Sequence, residues 1–223
     1  MNTRRHKAVV FDLDGLMFNT EELYRHVGSE LLARRGKPCT QELLNAMMGR
    51  SVLVSLSIMV EWHSLDDTPE ALSVESQEIF AEILDDRLEP MHGLFELLDA
   101  LESGGIPKAI ATGSRRVLVE NVLSRFDLAP RFEFVLTSDE VSNGKPHPEI
   151  YLKSAARLGY EPGEILVLED SENGCRSAVA AGTFVVAVPG DHSHHHDFTG
   201  ASLSIDNLAD ARLFEVLGLK PLS

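Results

Sequence analysis

Cysteine, tryptophan and basic residues are scarce in this 223-residue chain, and long apolar runs are missing altogether. Two cysteines, Cys39 and Cys175, are too few for a disulfide framework or a thiolate zinc site, and they suit a reducing cytoplasm. No apolar stretch approaches the roughly 18 residues of a membrane helix. The basic start, Met1 to Lys7, runs into an apolar stretch shorter than a secretory signal needs. Lysine and arginine total 20 against 35 acidic residues, a formal net charge of −15. That balance leaves no basic face for nucleic acid and none for an anionic membrane surface; it reads as solubility. The expected partner is therefore a small molecule, and the expected state a monomer. Aromatics make up only 6%, so the core should be mainly aliphatic.

What the chain does have is a series of short apolar runs without polar alternation. They are Lys7 to Phe11, Pro107 to Ala111, Phe132 to Leu136, Glu164 to Leu168 and Thr183 to Val188. Strands buried on both faces of a parallel sheet read this way. Helical stretches separate the later ones: Leu94 to Glu102, Arg115 to Phe126, Pro148 to Leu158, and Ser171 to Ala181 between an N-capping serine and Gly182. The alternation predicts a doubly wound, Rossmann-like α/β core. Residues 19–88 differ, with four helical stretches and no strand. They predict a small all-α cap domain inserted after the first strand, the core comprising 1–18 and 89–223.

The polar residues at the ends of these strands carry the chemistry. In open α/β sheets a ligand sits beyond the carboxyl ends of the strands. Asp12 and Asp14, Thr112 and Ser114, and Glu169 and Asp170 all fall there, with Lys145 in the loop after the third strand. Carboxylates gathered at one spot raise each other's pKa. A hard cation with oxygen ligands removes that cost, and Mg²⁺ suits one or two carboxylates plus a phosphate. With Lys145 added, such a site suits phosphoryl transfer, which needs positioning and charge neutralisation. Each feature also has a plainer reading. The aspartates could mark a turn, Thr112 to Ser114 a helix N-cap, Lys145 an exposed turn, and Glu169 to Ser171 a helix start.

Four segments in order settle the matter. Phe11-Asp12-Leu13-Asp14-Gly15, Ala111-Thr112-Gly113-Ser114, Gly144-Lys145-Pro146 and Leu168-Glu169-Asp170-Ser171 resemble the four motifs of the haloacid dehalogenase superfamily. The helical insert resembles the cap of its β-phosphoglucomutase-like phosphatases. The resemblance implies that Asp12 attacks phosphorus and forms an aspartyl-phosphate, while Asp14 acts as general acid and then base. It implies that Thr112, with Ser114 nearby, donates to the phosphoryl group and that Lys145 neutralises charge. Mg²⁺ would rest on Asp12, the Asp14 carbonyl and Asp170, with Glu169 a further ligand or a neighbour of the ligands. The Lys145-Pro146 bond is expected to be cis.

The resemblance also ranks the alternatives. Dehalogenases of the superfamily lack the second aspartate, which is present as Asp14. The mutases carry a histidine that corresponds here to Tyr24, so hydrolysis of a sugar phosphate or similar metabolite is expected over phosphohexomutase activity. A receiver-like signalling module would be shorter and lack the insert, and against a non-catalytic, binding-only relative no catalytic position is degraded. Asn19 departs from the usual aspartate but lies at the start of the cap helix. Gly49 and Arg50, between cap helices, and Arg115 are expected to meet the substrate's distal part. Trp62 and His63 are expected to pack within the cap, and His192 to His196 to form a polar surface loop rather than a metal site.

Overall fold

A computed structural model of the chain describes residues 6–47, 52–191 and 193–220. Strand β1 (Ala8–Phe11) is followed by helices α1 (Thr20–Ala33), α2 (Gln41–Met47), α3 (Val52–His63) and α4 (Pro69–Arg87). Then come α5 (Leu94–Ser103), β2 (Lys108–Ala111), α6 (Arg116–Ser124) and β3 (Val135–Leu136). The chain continues through α7 (Glu149–Leu158), β4 (Ile165–Glu169), α8 (Glu172–Ala180), β5 (Phe184–Ala187), β6 (Leu203–Ser204) and α9 (Ala211–Leu217). The strands form one sheet in the order β3-β2-β1-β4-β5-β6, and every pairing is parallel. The doubly wound α/β class is thus observed. Two elements go beyond the sequence reading: the β6 edge strand and α9.

The chain divides into two compact units, residues 1–19 with 89–223 and residues 20–88. In the first unit, β1, β2 and β4 are buried along their whole length. One core cluster packs Val10, Ala109, Val167 and Val185 against Ile150 and Ala155 of α7 and Ala178 of α8. The apolar stripe of α7 explains its place there: Ile150, Tyr151, Ser154 and Ala155 recur at helical spacing and are buried. The chain leaves and re-enters this unit at Asn19 and Glu89. The Asn19 backbone N–H donates to the Glu89 carbonyl (3.1 Å), and the Glu89 N–H donates to Asn19 Oδ1 (2.9 Å). Asn19 therefore ties the two crossings together.

The second unit is the four helices α1 to α4. Tyr24 stacks on Phe80 with ring centroids 4.9 Å apart, and Arg35 holds Asp67 through two hydrogen bonds of 2.7 and 2.8 Å. Trp62 is 48% exposed, so the packing expected of it accounts for only part of the ring. His63 Nε2 is buried without a hydrogen-bond partner. No described helix is long and apolar enough to cross a membrane.

At the end of the sheet that begins β2, Lys108 is 5% exposed and pairs with Glu102 at 2.8 Å. Arg131 also donates to Glu102 at 2.7 Å. Arg131 first, then Lys108, holds the Glu102 carboxyl down to about 2. A depressed folded-state pKa gives stability that is complete above the unfolded value of about 4 and is lost as pH falls towards the folded value. Glu102→Gln should therefore lower the urea midpoint at pH 5 and have progressively less effect towards pH 2. A difference that stays constant across that range would contradict the linkage.

Candidate active site

The sheet order reverses around β1: β2 and β3 lie on one side of it, β4 to β6 on the other. Such a switch point leaves a crevice at the carboxyl ends of the neighbouring strands. Asp12 follows β1 and extends the ladder through its N–H to the Leu168 carbonyl (3.0 Å). Thr112 follows β2, its N–H on the Leu136 carbonyl (3.0 Å). Glu169 is the last residue of β4. The chain turns back after Asp14 at Gly15, whose φ of 76° lies in a region that side-chain-bearing residues avoid. The polar residues at three adjacent strand ends thus converge, although they are far apart in sequence.

Lys145 is the centre of the first cluster. Its Nζ donates to Asp12 Oδ1 (2.5 Å), Glu169 Oε1 (2.6 Å) and the Ala111 carbonyl (3.1 Å). All three ammonium donors are therefore engaged. The Lys145-Pro146 peptide is cis, as expected. Glu149 braces the loop carrying Lys145: its carboxylate accepts from the Ser142 and Asn143 N–H groups at 2.9 Å each. Lys153, then Ser142 and Asn143, holds the Glu149 carboxyl down to about 2.

Asp12, Glu169 and Asp170 are all buried, and one oxygen from each lies within 4.8 Å of the others. Burial pushes the Asp12 carboxyl up, Lys145 pulls it down, and Glu169, Asp170 and Asp14 push it up again; the net direction is well above the ordinary value. Burial lowers the Lys145 pKa, but Asp12 and Glu169 outweigh it and the net direction is upward. An ion pair alone would lower the acid while raising the base. Asp12 rises chiefly because it is buried, with Glu169, Asp170 and Asp14 adding to that, and Lys145 rises because Asp12 and Glu169 outweigh its own burial. The site is short of positive charge, and its oxygen donors fit a hard divalent cation such as Mg²⁺.

Glu169 is held through both of its oxygens. Its Oε1 accepts from Lys145 and from the Tyr151 hydroxyl (2.5 Å), and its Oε2 accepts from Ser171 Oγ (3.1 Å). The Ser171 N–H adds a longer contact to Oε2 (3.4 Å), so Glu169 is tied to Lys145, Tyr151 and Ser171 through both oxygens. It can do so because α8 lets it lie flat on Gly174. A Cβ there would stand 1.8 Å from Glu169 Oε1. Alanine normally favours a helix over glycine by about 1 kcal/mol. Here Gly174→Ala should have the opposite sign, costing roughly 1–3 kcal/mol as overpacking does and displacing the Glu169-Lys145 pair. Denaturant midpoints with phosphate-release rates test this; a variant as stable and as active as the parent would refute the contact.

Asp14 is held in another way. Its Oδ2 accepts from both Thr112 Oγ1 (3.0 Å) and Ser114 Oγ (2.6 Å), while Oδ1 is buried without a hydrogen-bond partner. The Thr112 hydroxyl thus lies beside Asp14. It also accepts from the Ser114 N–H (3.0 Å). The helix-cap reading of Thr112 and Ser114 does not hold, because the N-cap of α6 is Arg115. Asp139 supplies the oxygen for that helix start, accepting from the Arg116 N–H at 2.9 Å. The Ser171 N-cap does hold, with Oγ accepting from the Gly174 N–H at 3.1 Å.

Arg115 is exposed and lies 3.5 Å from Asp139. Gly49, Arg50 and His192 lie outside the described residues. His194 approaches Asp191 at 3.6 Å, His195 and His196 meet edge to face, and His196 Nδ1 accepts from the Glu172 N–H. Sequence reasoning missed Tyr151 and Glu149. A buried tyrosine on an apolar helix face, six residues past a site lysine, was the available signal, since a buried hydroxyl needs a partner.

Comparison with known proteins gives concordant matches. A family model described as haloacid dehalogenase-like hydrolase matches residues 9–188. A bifunctional riboflavin kinase/FMN phosphatase from Arabidopsis thaliana is 33% identical over 215 residues, which cover 96% of this chain and 56% of that one. The chain thus spans little more than half of that relative. A phosphorylated carbohydrates phosphatase from Thermotoga maritima is 34% identical over 176 residues, covering 79% of this chain and 82% of the relative. The crystal structure of CbbY from Rhodobacter sphaeroides with xylulose-(1,5)-bisphosphate superposes with a TM-score of 0.83 at 25% identity, covering 95% of this chain and 99% of that one.

Proposed function

Since the chain belongs to the haloacid dehalogenase-like hydrolases, we propose that it is a Mg²⁺-dependent phosphatase that hydrolyses a small phosphorylated metabolite, a sugar phosphate, through an aspartyl-phosphate on Asp12. The observation that carries this reading is the unequal treatment of the two aspartates. Asp12 Oδ1 is fixed by Lys145, while Asp14 is clamped through Oδ2 by two hydroxyls and keeps Oδ1 unpaired.

That geometry supports the following steps. Asp12 attacks phosphorus, and the bond to the leaving oxygen breaks as Asp14 delivers a proton to it. Asp14 then takes a proton from water, whose oxygen attacks phosphorus and releases Asp12 and inorganic phosphate. Oδ1 is the oxygen of Asp14 able to carry that proton, since Oδ2 is occupied. Lys145 offsets negative charge on Asp12 and on the incoming phosphoryl group. Asp12 and Asp170 would hold Mg²⁺, which supplies charge neutralisation at the phosphoryl oxygens. Arg115 is proposed to meet the substrate's distal part. Gly49 and Arg50 are proposed for the same task.

Two further points support hydrolysis of a sugar phosphate. The Thermotoga relative is named for phosphorylated carbohydrates, and CbbY binds a sugar bisphosphate. Tyr24, where the mutases place a histidine, is engaged in stacking on Phe80. The test is phosphate release from a panel of sugar, nucleotide and short-acid phosphates, with Mg²⁺ and with EDTA. Sugar phosphates should turn over fastest and EDTA should abolish release. Equal rates in EDTA would overturn the metal requirement, and isomerisation of a hexose phosphate without release would favour a mutase.

A further inference from the structure

Tyr151 lies on α7 rather than at a strand end, yet it is tied to the centre of the site. It is 1% exposed. Its hydroxyl donates to Glu169 Oε1 at 2.5 Å, the same oxygen that Lys145 Nζ meets at 2.6 Å. The ammonium also lies over the Tyr151 ring, 5.1 Å from its centroid. Lys145 divides its three donors among Asp12, Glu169 and Ala111, so any change in the demand of one acceptor alters its hold on the others.

We propose that Tyr151 is a positioning residue for the phosphoryl-transfer reaction: by satisfying part of Glu169 Oε1, its hydroxyl limits the pull of that carboxylate on Lys145 and keeps the ammonium on Asp12. The inference rests on the hydrolase reading. Glu169 is fully buried, so no solvent replaces a lost donor. Without the hydroxyl, Oε1 has Lys145 as its remaining donor, and the ammonium is drawn towards Glu169 and away from Asp12. The nucleophile then loses the charge that holds it in place and that offsets the incoming phosphoryl group. That charge matters most as Asp12 attacks, so the loss falls mainly on kcat.

Tyr151→Phe isolates the hydroxyl, since the ring that packs in the core and underlies Lys145 remains. With p-nitrophenyl phosphate and Mg²⁺, kcat should fall about tenfold, the effect expected for one hydrogen bond to a charged group, while KM stays within about twofold. A purely structural tyrosine would lower the melting temperature and leave kcat per folded molecule unchanged, and that result overturns the proposal. Crystal structures of both proteins give a second reading that needs no turnover. Lys145 Nζ should move off Asp12 towards Glu169 in Tyr151→Phe; an unmoved ammonium overturns the proposal. If the parent protein releases no phosphate from any ester, the hydrolase reading falls, and the position of Lys145 in the two crystals still decides the role of Tyr151.

Discussion

Asp12→Asn should reduce phosphate release by at least about 10³-fold, the scale on which loss of a nucleophile is felt, without unfolding the protein. The two halves of this expectation have different origins. Activity falls because an amide oxygen does not form the acyl-phosphate that splits the displacement into two steps. The fold survives because the site carries an excess of negative charge. Asp12 is buried beside Glu169 and Asp170, and burial followed by those neighbours pushes its carboxyl well up. Replacing it with a neutral group of the same shape relieves repulsion, while Lys145 keeps Glu169 and the Ala111 carbonyl as acceptors. In EDTA the melting temperature of Asp12→Asn should be no lower than that of the parent. Retention of a tenth or more of the activity would remove Asp12 from the nucleophile's role. A large drop in melting temperature would show that the charge excess has been misjudged.

That expectation can be framed from sequence because the motif residues fall at the ends of strands whose burial is itself visible in sequence. The runs around Val9, Ile110, Val167 and Val186 are apolar on both faces, and each became a central strand. Phe132 to Leu136 looked alike but contributes only Val135 and Leu136 to the sheet, since β3 is an edge strand that pairs with β2 alone. Leu203-Ser204 is too short for any periodicity to register. Helix α9 is only seven residues long, although its Asp210 N-cap and Gly218 at φ 63° are signals of the usual kind.

Within the site, sequence identified which residues meet but not whom each one serves. Thr112 and Ser114 were expected beside a phosphoryl group, and both also donate to Asp14, a pairing that no local pattern shows. Glu169 and Asp170 are adjacent and chemically alike, and nothing local shows that Glu169 accepts from Lys145, Tyr151 and Ser171. These distinctions arise from the packing of α7 against β1, β2 and α8, and of α8 against β4 and β5. Tyr151 reaches Glu169 from α7, and Gly174 of α8 admits the carboxylate because it has no Cβ. Pairings of this kind depend on relative placement, which no local pattern encodes.

Lys145→Ala should be the most destabilising of the substitutions considered, and its cost should depend on pH. Lys145 and Asp12 are about a tenth exposed and Glu169 not at all, so solvent screens the cluster little. Removing one partner of a buried pair typically costs about 3–5 kcal/mol. For a chain of this size that corresponds to a fall of roughly 6–20 °C in melting temperature. The carboxylates can escape part of the cost by taking up a proton. Burial, then the neighbouring acids, already raises Asp12 against the opposing pull of Lys145, and loss of the ammonium raises it further. A carboxyl with a raised folded-state pKa binds more protons folded than unfolded, so stability falls as pH climbs from the unfolded value of about 4 through the folded one. In EDTA, the deficit of Lys145→Ala against the parent should therefore be small near pH 4.5 and large at pH 8. Adding Glu169→Gln to Lys145→Ala should recover part of it, because one of the stranded charges is gone. A deficit that is below about 1 kcal/mol and flat with pH would mean that Lys145 does not hold these charges together.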